Sequence, residues 1–97
     1  MNYFLSIVIV TYNPNYNVLN ECLNSIDKNI KIIIVDNSKN FDDSKIINFP
    51  KKNIIIKKNN NLGNGHGINV GISLAQTKYV LYLDVDTILE KNFVEKI

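Results

Sequence analysis

Four short apolar runs recur along the chain: FLSIVIV (4–10), KIIIVD (31–36), NIIIK (53–57) and YVLYLD (79–84). Each has strand length, is rich in β-branched or aromatic residues, and is bounded by turn formers. Their apolarity is nearly continuous. A strand with one face in water alternates polar and apolar residues, whereas a strand covered on both faces by helices has no reason to. The runs therefore predict a parallel sheet, which needs a crossover segment between each pair of strands.

The intervening segments supply such crossovers. Val18, Leu19, Cys22, Leu23 and Ile26 repeat at helical spacing, with Asn17 placed to cap the helix. Asp42, Asp43 and Ser44 can cap a short helix carrying Ile46 and Ile47 and ending before Pro50. Ile68, Ile72 and Ala75 form a stripe over residues 67–75, and a last helix is expected to begin near Glu90. The expected fold is α/β: a mainly parallel four-stranded sheet in the order 3-2-1-4, Rossmann-like, with flanking helices and right-handed crossovers. In that order the winding reverses between the first and fourth strands. Ligands of such sheets bind beyond the carboxyl ends of the strands at the reversal, which brings TYN (11–13) and DVDT (84–87) together.

Composition narrows the function classes. Ninety-seven residues, 45% of them hydrophobic, suit one small domain. All eleven basic residues are lysines, set against nine acids, so a net charge of +2 gives little drive toward nucleic acid or an anionic membrane. With no arginine, phosphate recognition must rely on backbone amides, lysine or a metal. Cys22 is the sole cysteine and sits at an apolar helical position, which excludes an intrachain disulfide and points to core packing. No apolar run approaches the ~18 residues of a membrane span, and no basic leader precedes the first run. The expected location is the cytoplasm, with the inner face of the membrane as the alternative.

Asp84 and Asp86 share one face if the chain stays extended, and two carboxylates so placed repel unless something positive joins them. A divalent cation held by oxygen ligands, magnesium or manganese, is the economical partner and could also hold phosphate oxygens. The plainer reading has one aspartate capping a turn and the other facing solvent. Asp36 ends IIIVDNS and can accept hydrogen bonds from a base or ribose, or form an Asx-turn with Asn37 and Ser38. Tyr12 can pack beside a base or simply mark a turn. In NNNLGNGHGINVG (59–71), four glycines lead into a helix; the stretch fits an anion-facing loop or a merely flexible one, and matches neither a dinucleotide fingerprint nor a P-loop. His66 can orient a phosphate or hydroxyl, or stand in solvent. The pairs Lys51–Lys52 and Lys57–Lys58 read as solvated edge lysines.

Taken in order, SIVIVTYNP, IIIVDNS, NNNLGNGHGINVGISLA and YVLYLDVDT resemble the nucleotide-sugar-binding half of the family 2 glycosyltransferases, which have the GT-A fold. The glycine-asparagine spacing of residues 61–71 looks like the rhamnosyltransferase-like branch, although other members carry arginine where this chain has Ile68. The resemblance implies that residues 1–97 form the N-terminal donor-binding portion, with the acceptor half and the catalytic base beyond Ile97. It implies that Thr11, Tyr12 and Asn13 line the base and ribose, that Asp36 with Asn37 contacts the base, and that Gly63, Gly65, His66 and Asn69 close against a UDP- or dTDP-sugar. Asp84 and Asp86 would be the family's DxD. Asp86 would be the direct metal ligand, and Asp84 would be shared between ribose and magnesium or manganese. The implied reaction is inverting transfer of a sugar to a glycan or lipid-linked acceptor. A chain lacking the base is expected to bind donor without transferring sugar, and a non-catalytic nucleotide-binding or scaffolding module is the alternative. A phosphate-accepting receiver domain is excluded, because it needs an acidic pair where Thr11 and Tyr12 stand.

Overall fold

The computed structural model describes residues 2–38, 40–58 and 63–91. Strands β1 (Asn2–Thr11), β2 (Ile30–Asp36), β3 (Ile54–Lys58) and β4 (Tyr79–Leu83) form one parallel sheet in the order β3-β2-β1-β4. This is the order expected from the sequence. Helix α1 (Tyr16–Asn24) covers one face and helix α2 (Asn64–Leu74) the other.

The unbroken apolarity of β1 and β2 follows directly. Ile7, Ile9, Ile32 and Ile34 pack with Leu19, Cys22 and Leu23 of α1. The residues between them, Val8, Val10, Ile33 and Val35, pack under Ile68, Val70 and Leu74 of α2. Both phases of the pleat are buried, so neither tolerates a polar residue at low cost. Phe41, Ile46 and Phe49 anchor the segment between β2 and β3 onto the α1 side.

Local details depart from the sequence pattern in several places. The cap of α1 is Asn15, whose side-chain oxygen accepts from the amides of Asn17 and Val18 at 3.0 and 3.3 Å. Asn17 lies inside the first turn, because Tyr16 joins the helix to pack on the core and against Phe41. The short helix after β2 is a single 3₁₀ turn, Asp43–Lys45, capped by Asp42. It stops there because Ile46 turns extended and inserts into the core. Helix α2 begins at Asn64, three residues before the expected Gly67. Its sheet-facing side includes Gly67 and Gly71, so Ile72 of the predicted stripe is rotated outward and is 48% exposed. The helix expected near Glu90 falls largely on residues 92–97, outside the described residues.

Among the described residues no helix is long and apolar enough to cross a membrane. Lys51, Lys52, Lys57 and Lys58 are all exposed around the edge strand β3, and the Lys51 ammonium donates to the Asp43 carbonyl at 2.6 Å. Cys22 is fully buried, and burial, with the charge of Asp86 second, pushes its thiol up to about 11. Ionisation alone should then slow alkylation of Cys22 at neutral pH by roughly 100-fold relative to a free thiol. Iodoacetamide labelling followed by mass spectrometry, with and without urea, checks this: rapid labelling of the native protein would contradict the buried placement. The same raised value means that the native state is favoured below the ordinary thiol value of 9.0, and that this contribution is lost as pH rises toward about 11.

Candidate functional site

The carboxyl ends of β1 and β2 meet in register, Thr11 opposite Asp36. The amide of Asn37 then donates to the Thr11 carbonyl at 2.8 Å, which extends the pairing one step past β2. Asp36 is wholly buried, an unusual place for a carboxylate without a cation. Its Oδ1 accepts from the Thr11 hydroxyl at 2.9 Å and from the Ser38 hydroxyl at 2.7 Å. Among the described residues no group donates to its Oδ2, and the neighbouring Asn37 Oδ1 is likewise buried without a donor. Leaving a buried acceptor unpaired costs about 1–3 kcal/mol. Among the described residues these two oxygens, both shielded from solvent at the carboxyl end of the sheet, are the buried side-chain polar atoms that the fold leaves unpaired.

Around this floor stand three turns. Tyr12 is 61% exposed just beyond Thr11, and Asn13 follows in the left-handed region at φ 45°. An open cleft of about 350 Å³ lies beside this turn, lined by Asn13, Pro14, Tyr16, Asn40, Asp42 and Lys45. From the opposite face, α2 presents its first turn after Gly63, which takes φ +93°, a conformation that favours glycine. Gly65, His66 and Asn69 lie within α2 and are exposed, so the expected glycine loop is mostly helix. Gly67 and Gly71 are packing residues. A Cβ at Gly67 would lie 2.9 Å from Val10 Cγ1 and 3.4 Å from Asn37 Nδ2, and one at Gly71 would overlap Val8. These two glycines bring the start of α2 down against the strand ends and the Asn37 side chain.

The third turn carries the paired aspartates. β4 ends at Leu83, which pairs with Ile9, and residues 84–87 turn, with the Thr87 amide donating to the Asp84 carbonyl at 3.0 Å. The chain does not stay extended through Asp86, so period-two spacing does not place the two aspartates on a common face. Val85, half-buried between them, packs on the α1-side core as the strand end turns. Both carboxylates remain exposed at that turn. The Tyr82 hydroxyl donates to Asp84 Oδ1 at 2.9 Å. Burial first, and then the hydrogen bond and charge of Asp84, hold the Tyr82 phenol above its ordinary range, so at neutral pH it stays protonated and donating. The turn thus carries two exposed carboxylates, hard oxygen donors of the kind a divalent cation takes, with Asp84 oriented by the Tyr82 hydroxyl. Among the described residues no group of three or more acidic, histidine or cysteine side chains gathers as a closed metal cage.

Two residues of this arrangement have only a faint signal in sequence. Ser38 stands two residues after Asp36, just past the end of β2, and Tyr82 two before Asp84, near the end of β4.

Comparison with known proteins gives a consistent result. The sequence profile described as "Glycosyl transferase family 2" matches residues 6–97. An uncharacterized glycosyltransferase of Methanocaldococcus jannaschii is 35% identical over 92% of this chain and 36% of its own length. The dTDP-rhamnosyl transferase RfbF of Shigella flexneri is 28% identical over 100% of this chain and 34% of its own. The UDP-Glc:alpha-D-GlcNAc-diphosphoundecaprenol beta-1,3-glucosyltransferase WfaP of Escherichia coli is 36% identical over 84% and 35%. The crystal structure of S. aureus TarS 1-349 superposes with a TM-score of 0.76 at 23% identity, covering 96% of this chain and 30% of that one, a likeness of fold. The chain thus spans about a third of the length of these curated relatives.

Proposed function

The chain belongs to glycosyl transferase family 2, and from that premise we propose that it forms the donor side of a glycosyltransferase, binding a UDP- or dTDP-sugar with magnesium or manganese. The observation that carries this reading is the unpaired, buried Oδ2 of Asp36 at the carboxyl edge of the sheet. A uracil or thymine ring offers one N–H, the donor this acceptor lacks, and its entry would have to uncover Oδ2, which is shielded from solvent. Tyr12, exposed at the adjoining turn, supplies an aromatic face for the base.

In this reading Asp84 and Asp86 hold the cation, and Tyr82 fixes the orientation of the Asp84 carboxylate. The cation, when bound, offsets the charge that gathers on the departing diphosphate. Gly63 and the first turn of α2 close over the sugar-diphosphate, with Gly65, His66 and Asn69 facing it. Attack by an acceptor hydroxyl at the anomeric carbon requires a base, and no residue between Met1 and Ile97 is assigned that role. The glycan or lipid-linked acceptor, the cytoplasmic location and the rhamnosyltransferase-like branch belong to the same proposal; the match to the Shigella flexneri dTDP-rhamnosyl transferase supports the branch.

Titration of UDP and dTDP with and without manganese, followed by amide chemical shifts, tests the reading. Shifts at Asp36 and Gly63 are expected with either nucleotide. Manganese should tighten binding at least about tenfold, with paramagnetic broadening centred on Asp84 and Asp86. Unchanged spectra in every condition would overturn the donor-site assignment.

A further inference from the structure

We propose that Ser25, at the C-terminal end of α1, is a positioning residue for the cation site at the turn that carries Asp84 and Asp86. The inference deepens the donor-site reading above and rests on its assignment of those two carboxylates to the cation. The Ser25 hydroxyl donates to the Cys22 carbonyl at 2.6 Å and accepts from the Leu89 amide at 2.9 Å. Its proton is committed to the helix end, and a lone pair faces the segment that follows the turn. The serine itself is firmly seated. Its own amide donates back to Glu21 and Cys22, and the next residue, Ile26, is buried and bonded to the Leu23 carbonyl.

The segment that it holds has few other restraints. Strand pairing ends with Leu83 against Ile9. The Thr87 amide closes the turn on the Asp84 carbonyl, a bond within the segment. Among the described residues, the bond from the Leu89 amide to Ser25 is the one hydrogen bond that joins residues 85–89 to another element, and it spans 64 positions of sequence. Val85 and Leu89 pack on the α1-side core, and exposure alternates along residues 84–89, so Asp84 and Asp86 both stay in solvent. The charge of Asp86 also helps to raise the Cys22 thiol, which places that carboxylate near the same end of α1. Apolar contact alone lets a segment slide, whereas a hydrogen bond to a fixed acceptor sets its register. Without the hydroxyl, ordering the turn falls to the cation, and that entropy is subtracted from its binding.

The test measures the manganese dissociation constant of the full chain, from the free-ion electron paramagnetic resonance signal, for the unmodified protein, Ser25→Ala, Ser25→Thr and Ser73→Ala. Ser73 is the matched control: its hydroxyl donates to the Val70 carbonyl at 2.6 Å, the same bond three residues back, in the helix on the other face of the sheet. Ser25→Ala should weaken manganese binding roughly 3- to 10-fold, the equivalent of one net hydrogen bond. Ser25→Thr, which keeps the hydroxyl, and Ser73→Ala should stay within about twofold of the unmodified chain. Coupling is reciprocal, so saturating magnesium should slow hydrogen exchange of the Leu89 amide at least about threefold in the unmodified chain, a measurement that needs no variant to fold. Unchanged affinity in Ser25→Ala, an equal loss in Ser25→Thr or Ser73→Ala, or a Leu89 amide indifferent to magnesium overturns this inference and leaves the donor-site reading standing. An unmodified chain in which manganese broadens neither Asp84 nor Asp86 overturns the cation assignment and this inference together.

Discussion

Asp36→Asn should lower UDP affinity by roughly 30- to 100-fold while leaving the fold almost untouched, which is a larger loss than the removal of one hydrogen bond in water would give. The amide that replaces the carboxylate has one oxygen and one NH₂. Two hydroxyl donors, Thr11 and Ser38, already converge on the Oδ1 position. They hold the amide oxygen there. The NH₂ is thereby placed at the position of Oδ2, where the ring N–H of the base would arrive, and a donor meets a donor. The substitution keeps shape and volume and removes a buried charge, so thermal stability should change little or rise slightly. Isothermal titration with UDP, beside a thermal melt, separates the two effects. Undiminished UDP binding by Asp36→Asn would mean that the base does not reach Oδ2.

Gly71→Ala is expected to cost about 1–3 kcal/mol of stability, despite the preference of helices for alanine over glycine by about 1 kcal/mol. In a chain of this size that corresponds to a melting temperature lower by roughly 5–15 °C. The opposing effect is steric. A Cβ at Gly71 would overlap Val8 Cγ1 and lie 2.9 Å from Val8 Cγ2, and Val8 is fully buried in a β-branched side chain's narrow choice of rotamers. Either α2 lifts off β1 or the strand shifts. Gly65 stands in the same helix with nothing within 4 Å of where a Cβ would sit, so Gly65→Ala should raise stability by about 0.5–1 kcal/mol through propensity alone. Circular-dichroism melts of the two variants give opposite signs if α2 lies as described. Val8→Ala combined with Gly71→Ala should couple favourably, because it removes the atoms that the new methyl meets. A Gly71→Ala protein as stable as the unmodified one would require a different seating of α2.

Gly71 also shows where reading the sequence stops. Asn59 to Gly71 reads as a glycine-rich approach to a ligand, and that reading assigns one purpose to glycines that have several. Gly63 takes the positive φ that starts the helix, Gly65 is open to solvent, and Gly67 and Gly71 are points at which α2 touches the sheet. Periodicity favours Ile68, Ile72 and Ala75 as the inward stripe, since it counts apolar side chains. A helix that approaches a strand through glycine is held by the absence of side chains, a signal that hydropathy does not record. DVDT illustrates the same limit on a smaller scale. The spacing of Asp84 and Asp86 is legible, but the turn that carries them, with Val85 packed on a core assembled from α1 and β1, is not.

The sheet, by contrast, is written in residue order. Four nearly unbroken apolar runs call for helices on both faces of a parallel sheet, and the doubly wound order β3-β2-β1-β4, with strand ends at Thr11, Asp36 and Leu83, is an arrangement that supplies them. How those ends are used is a matter of three-dimensional packing. Which oxygen of Asp36 is saturated and which is left unpaired depends on hydroxyls brought together across 25 residues of chain, and on distances within a few tenths of an ångström. Residue types state which donors and acceptors exist; the packing of β1 against β2 and α2 selects which of them are already satisfied.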